Sequence, residues 1–250
     1  MATEPRLHVD TDLKAGGEIA LEKDQAHYLR NVMRLGHGAT LKLFNGRDGE
    51  WRAAIDHVSK SRVDVALLDQ VRAQAEEPDL WLLFAPIKGK RVDTIAEKAG
   101  ELGASEIRPV LTERTVVGRV NTERLAANAR EAAEQCERLT LPTVHEPQKL
   151  ETVIAAWPED RQLLFADERA NAAPIAEALA QCCPGGRWAV LIGPEGGFSP
   201  SEQQMIRALP QSVPVSLGPR LLRADTAAFA ALALWQAHLG DWRNGDGGFE

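Results

Sequence analysis

Apolar positions follow two different rhythms along this chain. Up to about residue 72 they come in short runs: Arg6-Leu-His-Val, Gly17-Glu-Ile-Ala-Leu, Ala39-Thr-Leu-Lys-Leu-Phe, Glu50-Trp-Arg-Ala-Ala-Ile and Arg62-Val-Asp-Val-Ala-Leu-Leu. Each has the length and partial alternation of a strand. Asn45-Gly46 and Asp48-Gly49 mark the turn before the fourth run, because glycine accepts the positive φ of tight hairpins. Asp24 to Arg34 reads as a helix, with Asp24 as its cap and Leu29, Val32 and Met33 on one face. Short strands at this spacing predict a small barrel or sandwich.

A polar linker, residues 73–80, separates this part from a second rhythm. Strands are expected over Leu80–Ala85, Glu106–Leu111, Gln162–Ala166, 188–192 and 213–217. Helices are expected over Arg91–Leu102, Thr122–Leu139, Leu150–Trp157, Ala173–Cys182, 200–208 and Asp225–Leu239, with Asp225 or Thr226 capping the last. Alternation of this kind predicts a parallel α/β sheet. The domain reading is therefore 1–72, the linker, 81–242, and a tail at 243–250 that frays.

Composition narrows the class. The chain is 44% hydrophobic and 26% charged, as expected of a soluble globular protein. No apolar run reaches the roughly 18 residues of a membrane helix, and the first residues lack the apolar centre of a signal peptide. Cys136, Cys182 and Cys183 have no metal-ligand spacing. Their odd number suits a reducing cytoplasm, and no metal is expected. Net charge is −7, which opposes bulk attraction to nucleic acid. Residues 1–72 nevertheless balance 11 basic against 11 acidic groups and hold four of the six histidines, so a local basic face remains open there.

The most informative stretch is Trp188-Ala-Val-Leu-Ile-Gly-Pro-Glu-Gly-Gly-Phe198. A buried-strand run ends in three glycines within five residues, where backbone can approach a ligand closely. Ser199-Pro200-Ser201-Glu202 then reads as a capped helix start, with Ser199 and Glu202 forming a capping box. Two further strand ends, Leu163-Leu-Phe-Ala-Asp167 and Val215-Ser-Leu-Gly-Pro-Arg-Leu-Leu-Arg223, are candidates for the same pocket. Tight strand-to-helix connections would use the same glycines. The loop has neither the Gly-Lys-Ser/Thr ending of a P-loop nor the G-x-G-x-x-G of a dinucleotide fold.

GPEGGF (193–198) followed by LGPRLLRADTA (217–227) resembles the SPOUT class of methyltransferases. With HYLRNVMR (27–34), ELGASEIRPVLTERTVV (101–117) and EAAEQC (131–136), the chain resembles the RsmE family, which methylates N3 of uracil 1498 in 16S rRNA. The resemblance runs over nearly the whole chain. It implies an α/β fold with a C-terminal trefoil knot threaded around 163–198, a PUA-like N-terminal barrel that binds RNA, S-adenosylmethionine as methyl donor, and a homodimer. It also implies that the three loops hold the cofactor through Leu164, Phe165, Leu191, Ile192, Gly193, Pro194, Gly196, Gly197, Leu217, Gly218, Leu222 and Arg223. Arg223 is the candidate for stabilising a uracil anion and Glu195 a candidate proton acceptor. Candidate RNA contacts are Arg6, His27, Arg30, Arg34, Lys88, Lys90 and Arg91, with His27, Arg30 and Arg34 expected on one helical face. A SPOUT methylase acting on another RNA, and a non-catalytic RNA-binding assembly factor, are the competing readings.

Overall fold

The structure is a computed structural model that describes residues 4–59, 62–167 and 172–244. Most of the expected tail, 245–250, lies outside the described residues. The chain forms two compact units, Met1–Glu76 with Ala133–Leu141, and Glu77–Ala132 with Pro142–Glu250.

In the first unit five strands, β1 (Arg6–His8), β2 (Glu18–Ala20), β3 (Thr40–Phe44), β4 (Glu50–Val58) and β5 (Val63–Arg72), pair in the order β1-β3-β4-β5-β2. Only β1 and β3 run parallel. Leu7 and Ile19 on the two edge strands share one apolar cluster with Leu43, Ile55 and Val65. Both edges reach the same core, so the sheet curls into a half-closed barrel.

The segment expected to be one helix over 24–34 is built differently. An α-helical turn, α1 (Lys23–His27), is capped at Glu22 and not at Asp24. A π-helical turn, Tyr28–Val32, follows. Leu29 stays buried, but the wider turn leaves Val32 61% exposed. Arg34 leaves the helix altogether, with φ at 57°. His27, Arg30 and Arg34 therefore do not share one regular helical face.

The second unit contains β6 (Leu80–Phe84), α2 (Arg91–Glu101), β7 (Glu106–Leu111), α3 (Thr122–Gln135), β8 (Thr143–Val144), β9 (Gln148–Lys149), α4 (Leu150–Ala155), β10 (Arg161–Ala166), β11 (Ala173–Pro174), α5 (Ile175–Ala180), β12 (Arg187–Ile192), α6 (Pro200–Arg207), β13 (Ser212–Ser216) and α7 (Ala224–His238). The last residues of α3 belong to the first unit. The strands pair in the order β11-β13-β10-β12-β6-β7-β8, with β9 also on β7, and every pairing is parallel. Leu82, Leu164 and Val190 face a cluster with α2, α5 and α7. Leu83, Leu163, Phe165, Ala189 and Leu191 face another with α4 and α6. Burial on both faces explains why these strands read as continuous apolar runs. Among the described residues no helix is long and apolar enough to cross a membrane.

Several helix ends differ from expectation: Ala173–Pro174 pairs as strand β11, so α5 runs only over Ile175–Ala180, and α4 stops at Ala155. The last helix starts at Ala224 with Arg223 at its N-cap, so Asp225 and Thr226 lie inside its first turn. Helix α3 stops at Gln135 and not at Leu139. Arg6 Nη1 donates to the carbonyl of Ala133 at 2.7 Å, and Arg72 Nη2 donates to that of Glu137 at 2.7 Å. Guanidiniums thus take carbonyls at the helix end, while Glu137 turns into the left-handed region at φ 64°. Glycine adopts that conformation without the roughly 1–2 kcal/mol that a side chain costs there. Part of this gain is lost to glycine's freer unfolded chain. Glu137→Gly is expected to stabilise the protein by about 1 kcal/mol, a rise of roughly 2–4 °C in thermal midpoint by calorimetry. An unchanged or lower midpoint would show that the turn carries no such strain.

Candidate functional site

A cavity of about 520 Å³ opens at the carboxyl ends of β10, β12 and β13. These strands are neighbours in the order β13-β10-β12, so their exit loops converge beyond one edge of the sheet. A crevice there is the usual ligand site of an open parallel sheet. Its walls are Ala166 and Asp167 after β10, residues 192–195 with 197 and 198 after β12, and the segment 215–224 after β13, with Gln203 and Ala227 completing it.

The glycine loop is shaped by packing and by polar ties. Gly193 has no room for a side chain: a Cβ there would sit 2.7 Å from Phe198 Cε2. The Phe198 ring is buried and meets Phe165 edge-on at 5.3 Å. Gly197, at φ 68°, donates its N–H to the carbonyl of Pro194 at 2.8 Å and closes the turn. The expected capping box is present: Glu202 N–H reaches Ser199 Oγ at 3.3 Å, and Ser199 N–H reaches Glu202 Oε2 at 2.8 Å. Glu202 has a second task, since its Oε1 accepts the N–H of Glu113 at 2.8 Å. Beside it Arg114 Nη1 donates to the carbonyls of Gly196 at 2.8 Å and Phe198 at 3.3 Å. The segment after β7 therefore holds the glycine loop from behind.

The electrostatics are uneven. Asp167 is buried and its carboxylate accepts from Arg207, with Nε at 3.0 Å. Glu195 is paired with Arg91 at 2.6 Å. Arg220 and Arg223 are exposed on the cavity wall and form no ion pair among the described residues. Both acids are thus compensated while two cations remain available, which favours an anionic group in the cavity.

Of the residues singled out for the pocket, Ile192, Gly193, Pro194, Glu195, Gly197, Leu217, Gly218, Leu222 and Arg223 line the cavity together. Leu164, Phe165 and Leu191 do not; they are fully buried between the sheet and its helices. The β10 wall begins later, at Ala166 and Asp167. Gly196 is also off the wall, with its carbonyl turned to Arg114. Sequence reasoning missed Arg114, Gln203 and Arg207. No local signal points to them, because their partners lie five to 84 positions away.

The basic candidates divide as well. Arg6 is buried, its guanidinium on Glu50 and over the Phe44 ring at 3.8 Å, so it offers nothing to a phosphate. Arg91 is engaged by Glu195. Lys88 and Lys90 are exposed on the loop before α2, without ion pairs among the described residues. His27 and Arg34 are exposed, and Arg30 is half-buried and donates to the Ser59 carbonyl at 2.8 Å.

The family described as RNA methyltransferase domain matches residues 75–236, and the one described as RNA methyltransferase PUA domain matches residues 21–68. The chain is 36% identical to the ribosomal RNA small subunit methyltransferase E of Synechocystis sp., over 91% of this chain and 76% of that protein. It is 31% identical to the protein of that name from Rickettsia conorii, over 91% of this chain and 93% of the relative. Among solved structures, a methyltransferase from Legionella pneumophila in complex with S-adenosylmethionine superposes with a TM-score of 0.87 at 29% identity, covering 96% of this chain and 100% of that one. The ribosomal RNA small subunit methyltransferase E of Neisseria gonorrhoeae, bound to S-adenosylmethionine, gives 0.86 at 27% identity with the same coverage.

Proposed function

This chain belongs to the RNA methyltransferase family of the ribosomal RNA small subunit methyltransferase E proteins, and on that premise we propose that it transfers a methyl group from S-adenosylmethionine to N3 of a uridine in 16S rRNA, uracil 1498. The observation that carries the reading is the cavity at three adjacent strand ends. Its 520 Å³ suits a molecule of the cofactor's size. Ile192, Leu217 and Leu222 offer apolar faces to an adenine, and Arg220 or Arg223 offers a cation to a carboxylate.

Bound S-adenosylmethionine supplies a methyl group already activated on a sulfonium, so the chemistry needs no metal. What the chain contributes is alignment and charge. The Gly193–Gly197 loop fixes one side of the cavity and the 217–223 loop the other, and positioning of this kind supplies several kcal/mol of a displacement barrier. Uracil N3 carries a proton and is a poor nucleophile until that proton leaves. Arg223, without an acidic partner among the described residues, stabilises the resulting anion through an oxygen. The proton passes to Glu195, on the cavity wall, once its pair with Arg91 opens.

The same reading gives the first unit, with His27, Arg30 and Arg34, the task of holding RNA, and adds Lys88 and Lys90 on the second. It includes a knot threaded around 163–198, for which the insertion of β10 between the later strands β12 and β13 speaks. It also includes a cytoplasmic homodimer, which sedimentation checks as twice the 27.3 kDa chain.

Small subunits from a strain lacking this gene, incubated with protein and labelled cofactor, should gain label. Reverse transcription should then stop at one uridine, since N3 methylation blocks pairing. Label at another position, or no heat on titration with cofactor, overturns the reading. Lys88→Glu with Lys90→Glu is expected to lower methylation of small subunits at least tenfold at physiological salt, with unchanged cofactor affinity by calorimetry. A loss of cofactor affinity would place these lysines in the cofactor site instead.

A further inference from the structure

The outward side of α1 and the π-helical turn carries side chains that the methyl-transfer cavity does not use. Ala26 and Leu29 point inward and are buried. His27, Tyr28, Asn31 and Val32 face solvent, with Tyr28 39% and Val32 61% exposed. One exposed apolar side chain needs no explanation, but an aromatic ring and a β-branched chain four positions apart on one short segment form a patch. The Tyr28 side chain makes no hydrogen bond among the described residues, so its ring edge and hydroxyl are available. Asn31 Nδ2 lies 2.7 Å from His27 Nδ1, which places an amide and an imidazole together on the same side.

Two backbone features keep the segment in this shape. Single π-turns concentrate at functional sites, because the wider turn re-aims side chains that an α-helix would stack over its own surface. Arg34 closes the segment in the left-handed region, a strained arrangement that tends to persist where it presents something useful. The charge pattern decides what could cover the patch. Arg34 is exposed and forms no ion pair among the described residues, whereas Lys42 and Arg47 are taken by Glu50 and Asp12. An exposed ring that shares its short segment with the exposed Arg34 and with the His27 and Asn31 hydrogen-bonding groups fits a nucleobase with its phosphate better than an apolar protein face.

We propose that Tyr28 is a stacking platform for one unpaired base of the RNA substrate, with Val32 beside it and Arg34 toward the neighbouring phosphate. This rests on the reading of the protein as an RNA methyltransferase and adds a contact within its PUA-matching unit. Stacking of a base on an aromatic side chain contributes roughly 1–3 kcal/mol, or about 5- to 150-fold in affinity.

The test is a steady-state comparison on small ribosomal subunits, paired with binding to protein-free 16S rRNA. Tyr28→Ala should raise KM for subunits about tenfold, leave kcat within about twofold, and weaken binding of protein-free rRNA by a similar factor. Tyr28→Phe and Tyr28→Trp should behave as wild type, because the ring and not the hydroxyl carries the contact. Val32→Glu, which sets a carboxylate beside the same base, should weaken binding as well. Cofactor affinity and thermal midpoint should not move in any of these, since both side chains are exposed. Unchanged KM in Tyr28→Ala overturns the proposal, as does an equal defect in Tyr28→Phe. A defect seen with subunits but not with protein-free rRNA would assign the patch to a ribosomal protein and also overturn it. If the wild type methylates nothing, the activity reading fails by itself. The rRNA-binding comparison still decides the role of Tyr28.

Discussion

Gly193→Ala is expected to weaken S-adenosylmethionine binding at least tenfold and to slow methyl transfer about 100-fold, in a protein that remains folded. The argument is steric. The new methyl would lie 2.7, 3.0 and 3.1 Å from three carbons of the Phe198 ring, and the first of these is closer than real side chains approach. The ring cannot swing clear: it is 4% exposed and rests edge-on against Phe165. The Phe198 backbone is tied as well, its carbonyl accepting from Arg114 at 3.3 Å and from Gln203 at 3.4 Å. The glycine loop must therefore move as a unit, into the cavity it lines. Overpacking of this kind costs about 1–3 kcal/mol, and a displacement near 1 Å costs on the order of 100-fold in productive alignment. Phe198→Leu in the same chain removes the ring and should restore part of the binding. Titration calorimetry and single-turnover rates on the single and double variants measure both effects. Wild-type affinity in a folded Gly193→Ala protein would mean that the loop does not shape the cofactor site. Gly218→Ala makes a useful contrast, because a Cβ there meets nothing within 4 Å and the backbone φ of 108° is its only obstacle.

Much of this site was legible because its signals are local. Val190-Leu191-Ile192 announces a strand covered on both faces, and Ser199 with Glu202 announces a helix start; both follow from short-range chemistry. The convergence of three loops was a matter of strand order, which periodicity does not contain. It follows from β10 lying between β12 and β13. Leu164 and Phe165 stand off the cavity wall for a simple reason. Alternation along a strand distributes Leu164 and Phe165 to opposite helix layers, whereas the wall forms only where the strand ends, at Ala166 and Asp167. The π-turn was invisible for a related reason, since Leu29 satisfies a helical pattern whether the following turn is narrow or wide. Charges were the least legible. Arg6, Arg91 and Arg114 look like surface cations in sequence, and their partners Glu50, Glu195 and the Gly196 carbonyl lie 44, 104 and 82 positions away.

The Arg6 case carries the largest expected effect on stability. Glu50 is fully buried, and around its carboxylate stand Arg6, Arg72 with Nε and Nη2 at 3.1 Å, and Lys42 at 3.6 Å. Burial alone would raise the Glu50 pKa. The hydrogen bonds and charges of Arg6 and Arg72 outweigh it and hold the carboxyl below its ordinary range. Burial pushes Arg6 downward in turn, and Glu50 offsets part of that push. Glu50→Ala removes the carboxylate that hydrogen-bonds Arg6 and leaves Arg6 buried without that counter-charge, which costs about 3–5 kcal/mol. In a protein whose total stability is of the order of 5–15 kcal/mol this unfolds the first unit or leaves it marginal. Replacing both partners, as in Arg6→Met with Glu50→Leu, should recover most of the loss, since a buried pair exchanged for apolar groups is close to neutral. The pH dependence has a definite sign. A carboxyl whose folded pKa is depressed stabilises the fold above its unfolded pKa and loses that contribution as pH falls through the folded one. Wild type should therefore lose stability steeply below the ordinary glutamate range, whereas the double apolar variant should show a shallower acid limb. Urea unfolding at several pH values measures both. Equal acid limbs, or a Glu50→Ala protein as stable as wild type, would show that the buried cluster does not hold the first unit together.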